Sequence, residues 1–215
     1  MNNKNQLRSV IYLVDDDASV RNSLSSLFRS VDLSVESFSA PADFLKHNLA
    51  DVPSCMILDV RMPGLNGLDF QANLIEVGIR IPIVFLTGRG DIQMSVRAMK
   101  SGAIDFLTKP YREQDILDAV TTAIEWDRKR REACRLTSGI RACFDTLSPR
   151  EKEAMSLLAS GLMNKQVAEK MGLAEITVKI HRGSIMRKMR AKSFAELVKM
   201  SEALGVSESI WVAQT

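Results

Sequence analysis

The chain of 215 residues lacks the features of several large protein classes. It has three cysteines, Cys55, Cys134 and Cys143, with no C-x-x-C pair among them. That spacing supplies no zinc site, and the odd count argues against a disulfide framework. Cys55 reads as a small buried residue on a strand, and the other two as members of a helix packing seam, with a redox role as the alternative. The two histidines, His47 and His181, have only each other as counterparts, so neither reads as a metal ligand; His181 is expected to be half-buried or phosphate-adjacent. No run of 18 apolar residues exists and no signal peptide opens the sequence, so a cytoplasmic protein with no membrane segment is expected. Internal repeats and low-complexity tracts are also missing. The apolar share of 46% is ordinary and allows a real core, and the length allows one or two domains.

Charge is present but unevenly placed. Residues 1–123 carry 12 Lys and Arg against 15 Asp and Glu, a net −3, whereas residues 124–215 carry 17 against 11, a net +6. An acidic part joined to a basic part suggests that the C-terminal region meets a polyanion.

The N-terminal part is organised around Cys55 to Gly64. Four uncharged residues, Cys55-Met56-Ile57-Leu58, run into a lone aspartate, Asp59. Such a run suits a parallel strand buried on both faces, and Pro63-Gly64 is expected to stop any regular element. Asp59 is thus expected at the C-terminal end of a central strand, where open α/β sheets place their sites. Further strand ends carry matching chemistry: Asp15-Asp16 after Val10 to Val14, Thr87 after Ile81 to Leu86, and Lys109 after Ile104 to Leu107. A carboxylate can serve as a nucleophile. Mg2+ takes one or two carboxylates plus phosphate and water. An ammonium balances crowded negative charge.

This constellation resembles the receiver domain of two-component response regulators, over residues 8–123. The resemblance implies that Asp59 is the phosphoacceptor. It implies that Mg2+ (or Mn2+) is held by Asp15, Asp16, Asp59 and the backbone carbonyl of Arg61, and that Thr87 and Lys109 hydrogen-bond the phosphoryl oxygens. Phe106 takes the aromatic switch position, its ring turning inward as Thr87 is drawn toward the phosphoryl group; plain core packing is the other reading. Arg61 and Arg89 flank the site and are read as covering the phosphoryl group and lengthening its life, with solvent-facing side chains as the alternative.

Residues 1–8 are polar and read as frayed. Strands are expected over 9–14, 34–38, 81–86 and 104–107, besides the Asp59 strand. Helices are expected over 18–31, with Val20, Leu24, Leu27, Phe28 and Val31 on one stripe, and over 41–49, with Pro41 in the first turn. Two more follow, over 65–77, with Leu68, Phe70, Leu74 and Val77, and over 91–101. Five alternations of strand and helix read as a flavodoxin-like α/β fold, a doubly wound five-stranded parallel sheet. The loop Thr87-Gly88-Arg89-Gly90-Asp91 holds two glycines and is expected to be mobile. A last helix begins near Arg112, with Ile116, Leu117, Val120, Ile124 and Trp126 as its apolar face. Residues 124–144 read as a charged helical linker, whose run Arg128-Lys129-Arg130-Arg131 is a solvated face rather than a DNA contact.

Residues 145–208 read as a small all-α domain. Ser148 can cap a helix with Pro149 first and Glu151 three after the cap, ending near Gly161. Asn164 to Met171 is a short helix closed by Gly172, followed by Glu175 to Lys188, and Ser193 caps a final helix to Leu204 with Gly205 beyond. A short helix, a glycine turn and a longer basic helix make a helix-turn-helix. Val178, Ile185 and Met189 are expected to pack inward, and Lys179, Ile180, Arg182 and Gly183 to face out. Met155, Met163, Met171, Met186, Met189 and Met200 read as core. Ala174 forgoes a cap worth ~1 kcal/mol.

The residues Leu147 to Glu151, Gly161, Asn164 to Ala168, Thr177 to His181, Ile185 and Lys188-Met189 resemble the LuxR-type DNA-binding domain of NarL/FixJ response regulators. The FixJ branch is the nearer one. The stretches Gly90 to Lys100 and Gly161 to Gln166 are similar to regulators of aromatic-hydrocarbon catabolism of the styrene type. The resemblance implies that 175–188 enters the major groove of double-stranded DNA, with Lys165, Lys179, Ile180, Arg182 and Lys188 as contact residues. The function implied is a phosphate-switched transcription factor and not an enzyme. Its partners would be a cognate sensor histidine kinase, DNA, a second copy of itself after phosphorylation, and RNA polymerase. A receiver fold working without phosphorylation and a flavodoxin-like phosphatase are the rival readings; the intact acidic set opposes the first, and no second catalytic base supports the other.

Overall fold

The computed structural model describes residues 9–88 and 92–206, which fall into two compact units, residues 1–131 and 132–215. In the first unit, β1 (Val10–Val14), β2 (Ser34–Phe38), β3 (Ser54–Asp59), β6 (Ile83–Thr87) and β7 (Asp105–Thr108) form one sheet in the order β2-β1-β3-β6-β7. Every neighbouring pair is parallel. The central strands β1, β3 and β6 are buried throughout, as expected for a sheet covered on both faces. Their side chains alternate between two cores. Tyr12, Met56, Leu58 and Phe85 face one, with Phe44, Phe70 and Leu74. Ile11, Leu13, Cys55, Ile57, Val84 and Leu86 face the other, with Leu24, Phe28, Ile116 and Val120.

Helices α1 (Ala18–Ser30), α2 (Pro41–Leu45), α3 (Gly67–Glu76), α4 (Ile92–Lys100) and the start of α5 (Glu113–Asp145) supply those covers. Several expected boundaries move for identifiable reasons. Helix α2 stops at Leu45 instead of 49 because tertiary bonds claim the following chain: His47 Nε2 meets Glu36 Oε2 at 2.6 Å and the Ala50 amide donates to the Tyr12 hydroxyl at 3.1 Å. Val31 and Val77 are not on the packed stripes. Each follows its helix end and is about half exposed, and the chain reverses at Asp32 and Gly78 so that Leu33 and Ile79 pack instead. Pro63-Gly64 does not end regular structure but turns it, between the two-residue strands β4 (Arg61–Met62) and β5 (Leu65–Asn66). Trp126 is 48% exposed, since the stripe of α5 that packs on the receiver core ends at Ile124.

The charged linker is helical: α5 is one helix of 33 residues and the boundary between the units falls within it. Its basic run is less solvated than expected. Asp127 is fully buried; its Oδ2 accepts the Ser54 amide at 3.0 Å and Arg131 Nε at 2.6 Å, while Oδ1 accepts Arg130 Nη2 at 2.6 Å.

The second unit packs α6 (Pro149–Ala159), α7 (Asn164–Met171), α8 (Glu175–Lys188) and α9 (Phe194–Ala203) around Leu147, Met155, Leu158, Val167, Val178, Ile185, Met189 and Leu197. The Ser148–Glu151 capping box is present at the start of α6. Ala174 provides no side-chain cap for α8. Of the methionines expected in the core, Met163 is 69% exposed, since it is the residue that leads into the first turn of α7. Cys143 packs against this core, but Cys134 is exposed on α5 and not in a packing seam.

Candidate functional site

Parallel strands bring their carboxyl ends to one edge. There β1 leads into Asp15 and Asp16, β3 ends at Asp59, β6 at Thr87, and β7 leads into Lys109. Asp15 and Thr87 are fully buried, Asp59 is 8% exposed and Asp16 is exposed. Carboxylate oxygens of Asp15, Asp16 and Asp59 lie within 4.8 Å of one another. Lys109 reaches across: Nζ donates at 2.7 Å to Asp15 Oδ2 and at 2.7 Å to Asp59 Oδ2. The other Asp59 oxygen accepts the Arg61 amide at 2.9 Å, so both carboxylate oxygens are held.

Further hydrogen bonds fix the backbone around the site. Asp15 Oδ1 accepts the Asp17 amide at 2.9 Å, and Arg21 Nη1 donates to the carbonyls of Asp15 and Asp16 at 2.7 and 2.9 Å. The Lys109 amide donates to the Thr87 carbonyl at 2.7 Å, which ties two strand ends together. Burial pushes the Asp15 carboxyl above its ordinary value, and the hydrogen bond from Lys109 only partly opposes that. Burial alone would lower Lys109, but the hydrogen bonds to Asp15 and Asp59 outweigh it and the ammonium is held above its ordinary value. The fold therefore crowds negative charge at this edge with one bridging ammonium, a donor set of hard oxygens that fits a small divalent cation.

Phe106 is half-buried, its ring centroid 6.3 Å from that of Phe85. The Arg61 side chain is exposed, and Arg89, with the rest of 89–91, lies outside the described residues. Gly67 belongs to the site and has no sequence signal of its own. A Cβ there would come within 2.5 Å of the Asp59 carbonyl oxygen, so α3 can start this close to the Asp59 strand only with glycine. The preceding Asn66 caps α3 by accepting the Leu68 amide at 3.0 Å.

In the second unit, α7, the Gly172 turn and α8 form the helix-turn-helix; Gly172 takes the left-handed conformation at φ 66°. Val178 and Ile185 are fully buried. Lys165 is exposed, as are Lys179 and Ile180 on α8. Arg182 is drawn in more than expected: its guanidinium lies 4.4 Å from the Phe194 ring centroid and 3.5 Å from Asn164 Oδ1. Lys188 is half-buried and donates to Glu151 Oε2 at 2.6 Å, while Ser184 donates to Glu151 Oε1 at 2.6 Å. Glu151 thus does more than complete its capping box: it clamps α8 to α6. The hydrogen bond from Lys188, then those from Ser184 and the Ser148 amide, hold its carboxyl down at about 2.

Residues 11–121 match the response regulator receiver domain, and residues 145–201 match the bacterial regulatory proteins of the luxR family. The chain belongs to the NarL/FixJ family of two-component response regulators. It acts on transcription, through a LuxR-type DNA-binding domain joined to a receiver. Nodulation protein W of Bradyrhizobium diazoefficiens is 57% identical over 93% of this chain and 88% of its own length. Response regulator protein TmoT of Ectopseudomonas mendocina is 46% identical over 93% and 91%. Among solved structures, response regulator StyR is 44% identical with a TM-score of 0.80 over 91% of this chain and 98% of its own. Full-length FixJ from B. japonicum is 34% identical with a TM-score of 0.56 over 93% and 98%.

Proposed function

We propose that Asp59 takes a phosphoryl group from the phosphohistidine of a cognate sensor kinase. An Asp59 carboxylate oxygen forms the new P–O bond as the P–N bond breaks, and the departing imidazole takes up a proton. Asp15, Asp16, Asp59 and the Arg61 carbonyl would hold Mg2+, or Mn2+, which when bound neutralises phosphoryl oxygens. Lys109 is held between Asp15 and Asp59 beforehand and contacts the phosphoryl group once it arrives. The Thr87 hydroxyl donates to a second phosphoryl oxygen, and Phe106 follows Thr87 inward as the switch. The observation that carries this reading is the pair of 2.7 Å bonds from Lys109 to Asp15 and Asp59, beside the exposed Asp16. Intact-mass analysis after acetyl phosphate and Mg2+ tests it: the wild type should gain one phosphoryl group and Asp59→Asn none. Equal labelling of both would remove Asp59 from the role.

We assign residues 8–123 to the receiver, 124–144 to the helical linker and 145–208 to the DNA-binding domain. Phosphorylation promotes a homodimer, and α8 of each copy enters the major groove of double-stranded DNA. Lys165, Lys179 and Ile180 meet DNA directly, as does Arg182 from its place over Phe194. Lys188 we assign to the Glu151 clamp, because its ammonium already has that partner. The protein works in the cytoplasm as a phosphoryl acceptor and not as a turnover enzyme, and delivers its signal to RNA polymerase.

A further inference from the structure

From Ile176 to Gly183 the outward face of α8 offers few hydrogen-bonding groups to a base edge, the exposed Arg187 following one turn further on. Ile176, Lys179, Ile180 and Gly183 fall at helical spacing on one side, opposite the buried Val178 and Ile185. Ile176 is 64% exposed and Ile180 66% exposed, so two large aliphatic side chains one turn apart stand in water. Gly183 adds no side chain, and a Cβ there would meet nothing within 4 Å. Arg182 is held over the Phe194 ring at the side of this face, which suits a phosphate contact more than a base edge. Lys179 is the one ionised group of the four, with Nζ 3.3 Å from the Glu175 carboxylate. No Arg, Asn or Gln stands at these positions, the side chains that read guanine or adenine by paired hydrogen bonds.

An aliphatic side chain in the major groove has one base feature to read, the C5-methyl of thymine. We propose that Ile176 and Ile180 set operator specificity by packing on two thymine methyl groups in each half-site. This rests on the reading of α8 as the helix that enters the groove. Side chains four apart on a helix are about 5–6 Å apart, and successive bases rise about 3.4 Å along a strand. The two methyls therefore belong to base pairs one or two steps apart. Gly183 lets the helix backbone come close to the groove floor. Charge selects DNA over an apolar protein surface as the occupant of this face: residues 164–192 carry eight Lys and Arg against two acids.

The test begins by selecting duplexes from a random pool with the full-length phosphorylated chain. Each thymine of the selected half-site is then replaced by deoxyuridine, which removes the methyl and leaves pairing intact. Two positions per half-site should lose about four-fold in affinity each, the worth of one buried methyl. Ile176→Ala should bind thymine and uracil alike at one of them and Ile180→Ala at the other, with wild-type thermal midpoints. Undiminished methyl sensitivity in both variants, or no sensitive position in the wild type, overturns the assignment. A selection that yields no preferred sequence would instead bring down the reading of α8 as the recognition helix. Variants that lose dimerisation but keep DNA affinity would give this face to a second copy of the chain, and also overturn the proposal.

Discussion

Asp15 shows how far the site departs from what stability alone would select. Its folded pKa is raised by burial, so the fold holds the protonated form better than the unfolded chain does. A raised acid pKa means that stability falls as pH climbs from the unfolded value through the folded one, and at neutral pH the charged Asp15 weakens the receiver. Asp15→Asn should therefore raise the thermal midpoint of the receiver at pH 7, and Mg2+ should stabilise the wild type and not the variant. A midpoint below wild type would contradict this. Glu151 has the opposite sign. Its carboxyl is lowered from the ordinary 4.5 to about 2, so its contribution is complete above pH 4.5 and is lost as pH falls toward 2. Protection of the α6 and α8 amides, taken relative to intrinsic exchange at each pH, should fall over that window in the wild type, whereas Glu151→Gln should already be less protected at neutral pH and show little further change. Asp15, Asp16, Asp59, Thr87 and Lys109 are legible in the sequence because each ends or follows an apolar run. Gly67 is not, because its constraint is the carbonyl of a residue eight positions back. Gly67→Ala should cost roughly 1–3 kcal/mol by overpacking, read as a lower urea midpoint, and should slow Asp59 labelling because the clash is with the Asp59 carbonyl itself.

At the scale of elements, periodicity found the buried stripes but not where they end. Leu24 and Phe28, or Leu68, Phe70 and Leu74, announce a helix face; Val31 and Val77 continue the spacing yet lie beyond the turn. Local spacing carries no information about Glu36 and Tyr12 claiming the chain after α2, nor about the packed stripe of α5 stopping at Ile124 before Trp126. The basic run of α5 is a similar case. In sequence, Arg130 and Arg131 are surface charges; in the fold, both converge on Asp127, whose other partner is the first amide of the Asp59 strand. Asp127→Ala would leave two arginines and a buried amide without that acceptor. It should destabilise the receiver by roughly 3–5 kcal/mol, the cost of breaking one side of a buried ion pair. Surface changes such as Lys129→Ala should stay within about 0.5 kcal/mol. Similar urea midpoints for the two variants would mean that the Asp127 network carries no net stability.

For the whole molecule, the chain divides its charge as it divides its labour: residues 1–123, net −3, carry the proposed phosphoacceptor, and the net +6 of residues 124–215 suits a polyanion. A single helix-turn-helix reads one short half-site, and its non-specific phosphate contacts are much the same on any duplex. Joining two copies makes the second binding event intramolecular, which raises affinity only when both half-sites can be engaged together. Phosphorylation that drives dimerisation would thus appear as a gain confined to duplexes with two half-sites on one face, about 10 base pairs or a multiple apart. On such DNA, acetyl phosphate should tighten binding by about 100-fold or more over a duplex with one half-site. Inserting about 5 base pairs should abolish the gain by turning the half-sites to opposite faces. Asp59→Asn should behave like the unphosphorylated wild type throughout. Sedimentation should show a monomer becoming a dimer on the same titration. A gain of equal size on one half-site, with no change in sedimentation, would mean that phosphorylation releases a single DNA-binding domain and does not pair two.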